Sequence, residues 1–131
     1  MHIIIYKDGK GGKFEAGDEE FEFSFKHNSI AVKLPFDLDL KRLTQELKKD
    51  GYFVDEELEG IDSQSWGYDF DFEGYYPYTV YNDKGKWYFS FPPEDYNVEM
   101  AKDSFEFNPT VGKEAVDEFK KWLPFLKKAK K

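Results

Sequence analysis

Between Glu20 and Lys26 the chain reads Glu-Phe-Glu-Phe-Ser-Phe-Lys, polar and apolar residues alternating without a break. A strand turns successive side chains to opposite faces, so Phe21, Phe23 and Phe25 fall on one side and the polar residues on the other. That pattern is a half-buried strand, with one face on a core and one in water. Antiparallel sheets are the kind that tolerate such asymmetry.

Other segments repeat the signal. The opening His2 to Tyr6 reads as a buried strand, and Ser29 to Leu34 as the partner of 20–26, joined to it by a tight turn at His27-Asn28. Further strands are expected at 52–54, 68–73, 76–81 and 86–91, with an edge strand at 104–107. Asn82 to Gly85 is a turn that ends in a left-handed glycine. Lys7 to Asp18, carrying four glycines among charges, reads as an exposed loop, and Asp55 to Ser65 as a polar connection.

Two segments have helical spacing. Leu40, Leu43 and Leu47 form one stripe, with Asp37 or Asp39 as cap and Gly51 as stop. Val111, Ala115, Val116, Phe119, Trp122, Leu123 and Leu126 form another after Asn108-Pro109, and Pro124 is expected to kink or end that helix. The fold class is therefore α+β: a mainly antiparallel sheet of about six strands, with two helices, about 38–50 and 110–123, packed on one face. A chain of 131 residues suits a single domain, expected over 1–126, with 127–131 as a basic, frayed tail.

Charge is uneven along the chain. Residues 1–49 hold nine acids and nine bases, residues 50–110 fifteen acids and three bases, and residues 111–131 three acids and seven lysines, for a total of −8. The negative middle disfavours nucleic acid and anionic membranes and favours basic protein surfaces. Nothing approaches a membrane-spanning run, and no signal-peptide core precedes the first strand, so the expected location is cytoplasmic.

Motifs of known chemistry fail on spacing. Lys7 to Lys13 resembles a phosphate loop in composition but lacks its spacing and the helix that should follow. Asp69-x-Asp71-x-Glu73-Gly74 begins like a calcium loop, yet its twelfth position is Val80, and Phe70 and Phe72 need a core. There is no cysteine, the two histidines are His2 and His27, and neither Ser63 nor Ser65 lies in a nucleophile elbow. No catalytic residue, metal or cofactor is expected.

What stands out is Trp66 to Tyr96, with thirteen aromatics in 31 residues, seven of them tyrosine. Tyrosine is rigid, large and able to hydrogen-bond, which makes it a preferred interface residue. Asp69, Asp71 and Glu73 beside Tyr75, Tyr76 and Tyr78 are the expected partner-binding surface: acids to steer encounter, rings to supply short-range affinity. The expected function is a small acidic intracellular protein-binding module, an inhibitor or immunity-type protein masking a basic surface of a toxin or nucleic-acid enzyme. Two alternatives are a carbohydrate-binding module with Trp66, Tyr76 and Trp87 as platforms, and a two-carboxylate hydrolase.

Overall fold

Among the described residues, eight strands pair into one antiparallel sheet, and the pattern of their pairing divides the chain in two. They are β1 (Ile3–Ile5), β2 (Gly11–Ala16), β3 (Glu19–Lys26), β4 (Ser29–Leu34), β5 (Phe53–Asp55), β6 (Ser63–Gly67), β7 (Tyr78–Asp83) and β8 (Lys86–Ser90). The described helices are α1 (Leu40–Lys49) and α2 (Pro109–Lys128). The computed structural model describes residues 3–5, 7–26, 29–55, 63–67, 78–92 and 109–131, with the backbone alone at 3–5 and 109–112. The expected strands at 68–73 and 104–107 and the turn at 27–28 lie outside these residues.

Across the sheet the order is β1-β2-β3-β4-β8-β7-β6-β5. Each half is a four-stranded meander followed by a helix, and the halves join where β4 pairs with β8. Helix α1 carries the chain from the central β4 to the far edge, from which β5 to β8 return to the centre.

The α+β class and the two helices match the sequence reading, with eight strands in place of about six. Two strands occupy segments expected to be loop or connection. In β2, Phe14 and Ala16 alternate inward, but glycines dilute the apolar signal. In β6, Ser63-Gln64-Ser65 carries no apolar residue before Trp66, so only pairing with β5 and β7 marks it as a strand.

Strand pairing carries one apolar face across the sheet. Phe23 stands opposite Val32, Val32 opposite Phe89, and Phe89 opposite Val80. A parallel row runs from Phe25 to Ile30 and, farther on, from Tyr78 to Trp66 and Val54. Helix α2 seats on this face through Phe119, whose ring meets Phe21, Phe14 and Phe89 edge-on at 4.8, 5.4 and 5.4 Å. Trp122 lies 5.1 Å from Tyr78, 5.7 Å from Trp66 and 4.8 Å from Tyr52. Burying such a ring contributes about 1.5–3 kcal/mol by area, and edge contacts add about 0.5–1.5 kcal/mol.

Local chemistry sets the ends of α1. The Asp39 carboxylate accepts from Arg42 N at 3.3 Å, Leu43 and Leu47 are fully buried, and Gly51 adopts a φ of 88°. That left-handed glycine lets Tyr52 N donate to Leu47 O and Gly51 N to Lys48 O, closing the last turn.

The second helix and the chain end depart from expectation. Helix α2 continues through Pro124 to Lys128. Both Pro124 and Lys120 are on the exposed side, so the carbonyl that loses its donor can turn to water while Leu123, Leu126 and Ala129 stay buried. The basic tail is not frayed. Asp39 N donates to Ala129 O at 2.7 Å, Lys131 N donates to Asp37 O at 3.0 Å, and Leu38 bridges Lys130.

Candidate functional site

Both described helices pack on the apolar face, and among the described residues no helix covers the opposite face of the sheet. A transverse row of small residues crosses that open face: Gly11, Ser24, Ala31, Ser90, Thr79 and Ser65, each paired with the next. The Ser65 and Thr79 hydroxyls are hydrogen-bonded at 2.8 Å. Gly11 permits the close strand approach at the start of the row, since a Cβ there would stand 2.3 Å from Phe23 O.

Larger side chains flank this floor. Tyr81 and Tyr88 stack with ring centroids 5.5 Å apart and planes 19° from parallel. Lys26 holds its ammonium 4.3 Å from the Tyr88 ring centroid and 3.5 Å from Asp83 Oδ2. It therefore spans from β3 to β7, and the short side chains of Ala31 and Ser90 leave room for that reach. Burial, followed by the neighbouring Tyr88 and Asp83, pushes the Tyr81 phenol up to about 12.

Carboxylates gather at the other end of the face. On the β2–β3 ribbon, Glu15 stands directly opposite Glu20, and Glu22 lies two residues along on the same side. All three are exposed. Lys13 meets Glu20 at 3.6 Å, leaving the ribbon net negative. Like charges directly opposite each other destabilise an antiparallel pair, so Glu15 and Glu20 carry a local penalty. A depression of about 280 Å³ lies between Glu22 and Tyr88, with Asp8, Lys10, Ser24 and Lys33 also around it.

Of the residues expected to form the binding surface, Asp69, Asp71, Glu73, Tyr75 and Tyr76 lie outside the described residues. Tyr78 is in the core: it is 8% exposed, its ring is packed by Phe89, Phe91 and Trp122, and its hydroxyl is donated to Glu118. The sugar platforms fare similarly. Trp66 is fully buried and Trp87 is 6% exposed, so neither presents a flat face to a ligand, and Tyr76 is outside the described residues.

The acidic ribbon escaped the sequence reading because residues 1–49 sum to zero charge. Four of their nine bases, Lys41, Arg42, Lys48 and Lys49, are on α1, on the other side of the sheet. The available signal was the alternation at 20–26, which already placed Glu20 and Glu22 on one wet side. Among the described residues, no three His, Asp or Glu side chains are grouped to hold a metal ion, and no helix is long and apolar enough to cross a membrane. No protein-family model matches the chain, and no curated protein or solved structure matches it.

Proposed function

We propose that the protein is a small binding module that lays the open face of its sheet on a basic surface of a larger protein, as an inhibitor or immunity-type protein would. One observation carries this reading: exposed Glu15, Glu20 and Glu22 share a face with the Tyr81–Tyr88 pair, and Glu22 and Tyr88 line one depression on it. The carboxylates would speed encounter with an Arg/Lys cleft, and the half-buried tyrosines would provide rigid contact area beside it. A retained like-charge pair, which weakens the ribbon, is the kind of local conflict expected at a working surface. The carbohydrate alternative loses two of its three platforms to the core, and no specific observation favours the hydrolase.

The test is capture of the partner from host lysate by the native chain and by a Glu15→Lys, Glu20→Lys, Glu22→Lys variant, followed by association kinetics with the identified protein. A basic partner is expected, with an association rate that falls steeply with salt. The variant should associate about ten- to a hundredfold more slowly at low salt. A partner bound equally fast by the variant, with the same salt dependence, would sink the reading.

A further inference from the structure

On the helix side of the sheet, the row Phe23, Val32, Phe89 and Val80 is apolar until it reaches β6, where Gln64 follows opposite Val80. Gln64 is 8% exposed, in a position where its neighbours predict an aliphatic residue. Thr44 of α1, 7% exposed, donates its hydroxyl to Gln64 Oε1 at 2.8 Å. That bond uses the carbonyl end of the carboxamide. Neither Nε2 hydrogen is bonded to another group among the described residues. The carboxamide nitrogen reaches the surface and keeps its donors for a polar occupant there.

Gln64 and Thr44 open onto a depression of about 400 Å³ whose remaining lining is Lys41, Gln45 and Lys48. Lys41, Thr44, Gln45 and Lys48 stand at i, i+3, i+4 and i+7, one stripe of α1. The local charge is opposite to that of the whole chain: α1 sets Lys41, Arg42, Lys48 and Lys49 against Glu46 alone, whereas the protein carries −8. The lining of the depression itself holds two lysines and no acid among the described residues.

We infer that this depression binds an oxyanion, a carboxylate or phosphate group of a small ligand, between the Gln64 carboxamide and the Lys41 ammonium. The Gln64 Nε2 hydrogens supply directed donors and Lys41 supplies charge. The Thr44 hydroxyl holds the carboxamide with its nitrogen available. This site is on the helix side of the sheet and does not depend on the proposed use of the open face.

The experiment follows the Gln64 side-chain amide resonances of the full chain, assigned by their loss in Gln64→Leu. Inorganic phosphate and succinate are titrated separately, with sodium chloride at matched ionic strength as control. A saturable shift with either oxyanion, absent with chloride, is expected, and the responding anion identifies the ligand chemistry. Lys41→Ala, at an exposed position, should weaken that binding about tenfold, the loss of one charge-assisted contact. The inference is overturned if neither anion gives saturation, if chloride reproduces the shift, or if Lys41→Ala leaves the affinity unchanged.

Discussion

Tyr78 on β7 donates its phenolic hydrogen to Glu118 Oε2 on α2 at 2.7 Å, tying the middle of one meander to the helix above it. The ring is sealed by Phe89, Phe91 and Trp122, so the hydroxyl is the only polar atom the side chain brings inside. Tyr78→Phe keeps the ring and removes the bond to a carboxylate. A loss of about 1–3 kcal/mol is expected, read as a lower urea midpoint with an unchanged slope.

Gly11 has no room for a side chain. A Cβ placed there would meet Phe23 O at 2.3 Å, and that atom is backbone in a paired strand. Gly11→Ala must therefore push β2 away from β3 where the small-residue row begins. Destabilisation of at least about 1 kcal/mol is expected, with faster hydrogen exchange at Phe25 N, which donates to Lys10 O. Unchanged exchange at Phe25 would show that the strands absorb the extra methyl.

The ladder at the chain end stabilises the start of α1. Asp39, the helix cap, is held through its own amide by Ala129 O, and Asp37 O accepts from Lys131 N. Deleting residues 129–131 removes both bonds and the buried Ala129 methyl. A loss of about 1–3 kcal/mol is expected, with new protease sensitivity near Leu38. Equal stability of the truncated chain would mean that the bridge contributes nothing.

Alkaline pH should weaken the fold through Tyr81. An unfolded tyrosine ionises at about 10, whereas Tyr81 in the folded protein is raised to about 12, first by burial and then by Tyr88 and Asp83. Over that interval the folded chain retains a proton that the unfolded chain has released. Stability from this group is therefore complete below about pH 10 and is lost as pH rises through about 12. The difference between native and Tyr81→Phe urea midpoints, measured from about pH 9 to about pH 12, should show it. Parallel curves would contradict the assignment.

Glu15→Lys separates stability from binding. Replacing one member of the Glu15–Glu20 pair turns a cross-strand repulsion into an attraction, so the variant should gain about 0.2–1 kcal/mol in urea unfolding. If the open face docks on a basic surface, the same variant associates more slowly. A variant that gains stability while association is unaffected would assign these acids to solubility instead.

Several elements were legible along the chain because their causes are local. The alternation at 20–26 names both sides of β3, the Leu40–Leu43–Leu47 stripe names the buried side of α1, and Asp39 and Gly51 mark its ends through capping and a left-handed backbone. The left-handed turn before β8 was likewise visible, although it takes Lys84 as well as Gly85 into positive φ. Harder to see were β2 and β6, whose strand character depends on their neighbours: Gly11 and Gly12 contribute no side chain, and Ser63-Gln64-Ser65 no hydrophobic period.

Side-chain periodicity says which residues share a side of a strand, but not which strand lies next to it. Pairing of β4 with β8 links segments more than fifty residues apart, and it alone creates two meanders, each followed by a helix, without any repeat in the residues. The same long-range contacts turn Tyr78 inward onto Glu118 and bring Glu22 beside Tyr88. They also set the bases of α1 and the acids of β2–β3 on opposite sides of one sheet. The order of residues dictated local conformation and polarity; the location of the charged and aromatic surfaces came from burial and strand pairing, which no window of sequence contains.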